Sequence, residues 1–164
     1  INGSSKQFYI TTINSKFQIN RKKIKKILNE ENRLKIHSKK TILNFFNEIK
    51  NIKTKLVKLL HHIKRQNKYI HAYGASTKGN VLLQYFGIDN NFIDYVSERN
   101  PLKYNLYTPG TYIKIISEKE SRKIKPNYYL VLPWHFQKEI LLREKKIRNK
   151  GTKFIFPLPK IKIY

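Results

Sequence analysis

No cysteine occurs in the 164 residues, which excludes a disulfide framework and thiolate metal ligands within the chain. Methionine is absent as well, and the sequence opens on Ile1. Translation starts at a methionine codon, so the expectation is a piece of a longer protein. The missing cysteine fits a reducing compartment without requiring one. Long apolar runs are also lacking: a stretch such as Tyr128 to Trp134 is far shorter than the roughly 20 residues that cross a bilayer. Residues 1–19 carry polar side chains throughout, with no apolar signal-peptide core. The sequence therefore predicts a soluble, cytoplasmic chain with no membrane partner, long enough for one ordinary domain with a real core.

Acidic residues are scarce: ten Asp and Glu face 35 Lys and Arg, a formal net charge of +25. Such an excess is the footprint of a nucleic-acid or anionic-lipid surface. Two features weigh against that reading. Lys, Ile, Asn, Tyr and Phe are all abundant and share A/T-rich codons, and drift toward such codons would turn surface Arg, Gln and Glu into Lys and Asn without any selection for binding. The lysines are also spread over the whole chain instead of being concentrated among aromatics and glycines. Nucleic acid is thus not the expected partner, although a basic nucleic-acid-binding module stays open as an alternative. In either case the field attracts anionic small ligands.

Two regions differ in character, and no internal repeat joins them. Residues 1–68 read as charged and helical. Within them Lys6 to Thr12, with Phe8, Tyr9, Ile10, Thr11 and Thr12, predicts a strand. Asn20 is placed to cap a short helix through Leu28. Ser38 is placed to cap a long one ending near Gln66 to Lys68, with Ile42, Leu43, Phe45, Phe46, Ile49, Ile52, Leu56, Leu59, Leu60 and Ile63 in one apolar stripe. His61 and His62 adjoin in that helix and point about 100° apart, a poor geometry for sharing a metal; they read as surface or packing histidines.

Residues 69–164 alternate strand and helix. Strands are expected at Tyr69–Tyr73, Phe92–Val96, Tyr112–Ile116, Tyr128–Leu132 and Lys153–Phe156. Helices are expected at Asn80–Phe86, after a Ser117/Glu120 capping box, and over Gln137–Lys150, with Gly151 as a left-handed cap. The fold class that follows is α/β: a Rossmann-like, doubly wound, mostly parallel sheet preceded by a helical segment.

Four stretches carry chemistry. Gly74-Ala75-Ser76-Thr77-Lys78-Gly79-Asn80 joins a strand to a helix, where a Rossmann fold sets a phosphate against helix amides. Gly74 and Gly79 match the outer glycines of G-x-G-x-x-G, but Ser76 replaces the middle one, and the P-loop pattern fails at Asn80 and Val81. A tight turn in which Ser76 and Thr77 merely cap the helix explains the residues equally well. Glu98 lies about 20 residues past the turn, where a dinucleotide fold puts its ribose-binding acid. Arg99 beside it suits a phosphate or an ion pair. Tyr107-Thr108-Pro109-Gly110-Thr111 is a β-turn at the sheet edge. Leu130 to Phe136 is a buried strand ending in Pro133-Trp134-His135 at the edge where open α/β sheets bind ligands. Trp134 reads as core and His135 as a site residue.

Taken together, the blocks Gly74–Asn80, Gly87-Ile88-Asp89, Glu98-Arg99-Asn100-Pro101, Tyr107–Thr111, Leu132–Phe136 and Lys153–Pro159 resemble, in order and spacing, the C-terminal domain of S-adenosylmethionine-dependent sugar C-methyltransferases. The resemblance covers Tyr69 to Pro159 strongly and the front part loosely. It implies a longer enzyme with a cysteine-rich zinc domain, a central domain holding the S-adenosylmethionine donor and the catalytic base, and this Rossmann-like domain. It further implies methylation of a ring carbon of a nucleotide-linked deoxy-keto sugar, through an enolate formed by proton removal beside the ketone. Asn2-Gly3-Ser4-Ser5 with Phe8-Tyr9 is similar to the last turn and strand of the central domain. Residues 1–68 would then be its end plus connecting helices, and 69–164 the C-terminal domain. On that reading no catalytic residue is assigned in this chain, and no metal ligand falls in it. Gly74, Ala75, Ser76, Thr77, Lys78, Gly79, Asn80, Glu98, Arg99, Asn100 and His135 become candidates for shaping the nucleotide-sugar pocket, with the turn's amides facing outward beside Glu98 and His135. Lys103-Tyr104-Asn105-Leu106 departs from the family's usual pattern of a glycine and a basic residue ahead of the Tyr107-Thr108-Pro109-Gly110 block. The same glycine turn would also serve an NAD(P)-dependent oxidoreductase domain, a reading that Ser76 opposes.

Overall fold

The computed structural model describes residues 7–164. Two compact units divide within one long helix, the first reaching to Lys50 and the second running from Asn51 to Tyr164.

In the first unit, helix α1 (Arg21–Leu34) begins where the Asn20 side chain accepts from Lys23 N–H at 3.0 Å and buries no residue. It runs past the expected end at Leu28, because Lys35 supplies the left-handed stop. The strand expected over Lys6–Thr12 is a correction. Gln7–Thr12 form no strand, and Tyr9 and Ile10 stand 85% and 92% exposed. Strand propensity is a preference for a paired, half-buried surface, and these residues pair with nothing among the described ones. Lys6 and the Asn2–Ser5 turn lie outside the described residues.

Helix α2 (Lys39–Arg65) starts as expected, with Ser38 Oγ accepting from Thr41 N–H at 3.1 Å. Its apolar stripe divides with the units. Ile42, Leu43, Phe45 and Phe46 are exposed, whereas Leu56, Leu60 and Ile63 are buried. In the second unit, α2 is held by Lys53 Nζ donating to Tyr85 O and by Lys64 Nζ donating to Asp94, each at 2.8 Å. His61 packs edge-on against Phe92. Among the described residues no helix is long and apolar enough to cross a membrane.

The second unit is built on β1 (Ile70–Tyr73), α3 (Thr77–Phe86), β2 (Tyr95–Glu98), β3 (Ile115–Ser117), α4 (Glu118–Ile124), β4 (Tyr128–Val131), α5 (Gln137–Arg143), α6 (Lys145–Arg148), β5 (Lys153–Phe156) and β6 (Lys162–Ile163). The sheet order is β3-β2-β1-β4-β5-β6. The first five strands are parallel, and β6 returns antiparallel on β5. This is the Rossmann-like α/β sheet the sequence predicts. Connections from β1 run outward on one side through β2 and on the other through β4, so the order reverses between β1 and β4. Such a switch point leaves a crevice beyond the carboxyl ends of the strands.

Strand boundaries shift where turns intervene. The strand expected at Phe92–Val96 starts only at Tyr95, because Phe92 and Ile93 donate back to Asp89 O. That expected at Tyr112–Ile116 starts at Ile115, since Tyr112 adopts φ +53. Helix α3 starts at Thr77, three residues before the expected Asn80, because Ser76 caps it by accepting from Gly79 N–H at 3.1 Å. The single helix expected over Gln137–Lys150 is interrupted at Glu144 (φ −95, ψ 15), whose side chain is drawn into the interior. The capping box at Ser117 and Glu120 forms in full.

Alternation along the strands sends His71, Tyr73, Tyr129, Val131, Phe154 and Phe156 to one face. There Tyr73, Tyr129 and Phe154 meet as an aromatic cluster with ring centres 5.1–5.8 Å apart. Trp134, Leu141 and Ile147 pack against that cluster, so Trp134 sits by the core as expected. His71 is fully buried in the same layer. Its Nδ1 bonds Ser121 Oγ at 2.8 Å, and Ser121 Oγ bonds Tyr129 Oη at 2.7 Å.

Burial holds the imidazole neutral and lowers its pKa from 6.5 to about 4; Asp94 opposes the shift and Lys64 adds to it. Between those values the unfolded chain binds the extra proton, so stability falls as pH drops from 6.5 toward 4 and this group has no effect above 6.5. The loss is expected to reach on the order of 3 kcal/mol. Urea unfolding at stepped pH is expected to give His71→Phe a flatter profile than the parent over that window; parallel profiles would refute the assignment.

Gly79 gives a second expectation. A Cβ there would lie 2.5 Å from Leu132 Cβ and 2.9 Å from Ser76 Oγ. Gly79→Ala must therefore push α3 off the end of β4, at a cost of about 2 kcal/mol. A thermal melt equal to the parent's would contradict that packing.

Candidate functional site

The crevice at the switch point is a cleft of about 430 Å³, and residues that follow β1, β2 and β4 line it. From the end of β1 come Tyr73, Gly74, Ala75 and Ser76. From β2 and its sequel come Ser97, Glu98, Arg99 and Lys103. Beyond β4 come Pro133 and Phe136, and α4 and α5 add Glu118, Glu139, Ile140 and Arg143.

The turn after β1 is shaped by Gly74 at φ +81, a conformation that costs a side chain dearly. The amides of Gly74, Ala75 and Ser76 are satisfied from within. Gly74 N–H donates to Ser97 O at 2.8 Å, Ser76 N–H to Gly74 O at 3.0 Å, and Ala75 N–H to Glu98 Oε2 at 2.7 Å. Glu98 Oε1 accepts from Arg99 N–H at 2.7 Å and Asn100 N–H at 2.9 Å. Lys103 Nζ donates to Ala75 O at 2.8 Å and stands 3.8 Å from Glu98 Oε2. Burial alone would raise the Glu98 pKa. The amides of Asn100, Ala75 and Arg99, with Lys103, outweigh it and hold the carboxyl below its usual value.

The opposite wall is a charge network. Glu144 is only 2% exposed and accepts from Tyr73 Oη at 2.8 Å, Arg122 Nη2 at 3.1 Å and Arg143 Nε at 3.0 Å. Arg143 Nη2 also donates to Tyr73 Oη and, at 2.7 Å, to Glu118 Oε1. Burial raises the Glu118 pKa, against the pull of Arg122 and with help from Glu144. These contacts explain why the helix breaks at Glu144: the backbone yields so that one buried carboxylate serves two guanidinium groups and a phenol.

The structure brings Gly74, Ala75, Ser76, Glu98 and Arg99 together at the cleft. Asn100 lies just behind, its side chain accepting from Leu102 N–H at 3.1 Å and its amide bound to Glu98. Thr77, Lys78, Gly79 and Asn80 form the first turn of α3 and do not line the cleft. His135 is not in it either; it lines a neighbouring depression with Trp134, Gln137, Lys138, Glu139, Leu158, Pro159 and Lys162, and Glu139 borders both. Residues 134–136 form a single 3-10 turn. Its neighbours diverge by about 120°, so Phe136 faces the cleft and His135 another side. Burial and the Lys78 charge lower the His135 pKa. Tyr73, Lys103, Glu118, Glu139 and Arg143 line the cleft without having been picked out from sequence. They come from segments far apart in the chain and carry no local motif. Among the described residues no three His, Asp or Glu side chains gather as a metal-binding group.

A family model described as the C-methyltransferase C-terminal domain matches residues 1–159. The chain belongs to that family. The C-methyltransferase NovU of Streptomyces niveus is 31% identical over 112 residues. The match covers 68% of this chain and 27% of the relative, so the chain spans about a quarter of the length of that methyltransferase.

Methyltransferases of this kind imply a bound S-adenosylmethionine, and the cleft of this C-terminal domain does not fit one held in the dinucleotide manner. The acid at the end of β2, which would take ribose hydroxyls, has both oxygens committed to amides. The turn that would take phosphate or carboxylate has Ala75 N–H on Glu98 and Gly79 N–H on Ser76. Three cations, Arg99, Lys103 and Arg143, line the cleft with three carboxylates, Glu98, Glu118 and Glu139, and the rings of Tyr73 and Phe136; Lys103 and Arg143 are already engaged, which leaves the Arg99 guanidinium as the cation placed to meet an anionic ligand.

Glu144→Gln removes the charge shared by Arg122 and Arg143. Both arginines are partly exposed, which softens the effect. A stability loss of about 2 kcal/mol is expected; urea unfolding within about 0.5 kcal/mol of the parent would count against the network as a structural element.

Proposed function

We propose that this chain is the substrate-side domain of an S-adenosylmethionine-dependent C-methyltransferase acting on a nucleotide-linked deoxy-keto sugar, with the methyl donor and the catalytic base supplied by an upstream domain of the same cytoplasmic protein. On this reading residues 1–68 are the end of that methyltransferase domain with connecting helices, and 69–164 form the Rossmann-like domain. Membership of the C-terminal-domain family supports the enzyme class.

One observation carries the substrate side: a cleft at the sheet's switch point where Arg99, Lys103 and Arg143 stand with the rings of Tyr73 and Phe136, two of its carboxylates, Glu98 and Glu118, being already bonded to amides or arginines. Guanidinium and ammonium groups suit a diphosphate, and aromatic and apolar walls suit a base or a deoxy-sugar. The net charge of +25 draws such anions in from a distance. The committed Glu98 carboxylate speaks against the oxidoreductase alternative, which needs that acid for a ribose.

The test uses the full-length protein containing this chain. With S-adenosylmethionine, mass spectrometry is expected to find methyl transfer to a dTDP-linked deoxy-keto sugar and at least tenfold less to the free sugar. Calorimetric titration is expected to detect the dTDP-sugar and not NAD. Equal transfer to the free sugar, or binding of NAD alone, would overturn the reading.

A further inference from the structure

The turn after β1 has the build of an anion cradle: a positive-φ glycine, small residues and the N-terminus of a ten-residue helix. Yet the cradle already holds an anion. Glu98 reaches across from the end of β2, and its two oxygens take N–H groups from both strand ends, Ala75 at 2.7 Å, Arg99 at 2.7 Å and Asn100 at 2.9 Å. Lys103 closes the arrangement by binding Ala75 O and standing beside the same carboxylate. By contrast, the Arg99 guanidinium makes no hydrogen bond or ion pair among the described residues, although it lines the cleft and its backbone is fixed through Glu98. Arg143, across the cleft, is engaged by Glu118, Glu144 and Tyr73.

We infer that Glu98 is a built-in anion that fills the glycine turn, so that the anionic part of the ligand is taken by the Arg99 side chain and not by the turn's amides. Glu98 is thus a positioning residue and Arg99 the specificity-determining one. The ligand class is a diphosphate ester, and this point rests on the nucleotide-sugar reading above. The consequence for selectivity is direct. A ligand that needs the turn for its phosphate and the β2 acid for its ribose meets a carboxylate in place of an empty cradle and is repelled. A ligand that offers its diphosphate to the outer rim of the cleft is accepted.

The experiment reads amide and guanidinium signals of the nitrogen-15-labelled full chain during titration with inorganic pyrophosphate and, separately, with a nucleoside diphosphate. In the parent, the Arg99 Nε–H signal is expected to move with either probe while the amides of Ala75 and Asn100 stay in place. In Glu98→Ala the vacated turn is expected to take pyrophosphate itself, so the Ala75 amide moves and saturates. In Arg99→Gln the affinity for the nucleoside diphosphate is expected to fall about tenfold with the Ala75 amide unchanged, the loss typical of one charged hydrogen bond.

Movement of the parent's Ala75 amide on adding either probe would overturn the inference, because Glu98 would then have been displaced. Unchanged affinity in Arg99→Gln would overturn it too. Should Glu98→Ala not fold, Glu98→Gln replaces it, and the parent titration stands without any variant. Pyrophosphate behaviour as expected, combined with absence of methyl transfer to any nucleotide-sugar, would sink the substrate assignment while leaving the built-in anion in place.

Discussion

The Glu98 carboxylate ties the carboxyl end of β2 to that of β1 and so fixes the edge of the sheet on which the cleft depends. Parallel strands pair along their length through amides and carbonyls, but at their ends the chain leaves the ladder and those groups need other partners. Here one side chain supplies them for Ala75, Arg99 and Asn100 together. Gly74 donates to Ser97 O beside it, so the two strand ends are linked by main chain and side chain alike. The position of Arg99, the width of the cleft and the start of α3 all follow from that junction.

Behind the junction, a second carboxylate organises the far wall. Glu144 lies deep, and α5 and α6 are two helices instead of one because it does. Its partners Tyr73, Arg122 and Arg143 come from β1, α4 and α5, so a single buried acid joins the central strand to two helices. The same strand, β1, carries His71 into the bonded row with Ser121 and Tyr129. These side chains are thus bonded in connected sets, which favours one arrangement of the layers, although the buried His71 Nε2 takes no hydrogen bond among the described residues.

The parallel sheet was legible because each strand was bracketed by a turn with its own chemistry: Gly74, Gly87, the Ser117 capping box, Gly151 and the prolines after Phe156. Strand β6 was not, since Lys162 and Ile163 form only a two-residue pairing that exists by virtue of the chain's return past Pro159. The break at Glu144 was hidden as well, because the amphipathic period continues through it and its cause lies about 70 residues away at Tyr73. For the site, the glycine turn and Glu98 do meet at the cleft, but a motif that signals ribose binding cannot reveal that the acid is already occupied by amides. His135 was misplaced relative to the cleft by one step of a 3-10 turn. Arg143 and Glu118 carried no signal because only folding brings α4 and α5 to the same wall.

Most carboxylates of the second unit are committed. Asp94 holds Ile70 N–H and Lys64, Glu98 holds three amides, Glu120 closes a capping box, and Glu118 and Glu144 bind arginines. The lysines, by contrast, are mostly dispersed on the exterior. Mutational tolerance in such a protein is lopsided: a dispersed cationic surface accepts exchange with little penalty, while most acids of the second unit are fixed points. The few acids of the second unit thus mark the joints of its architecture.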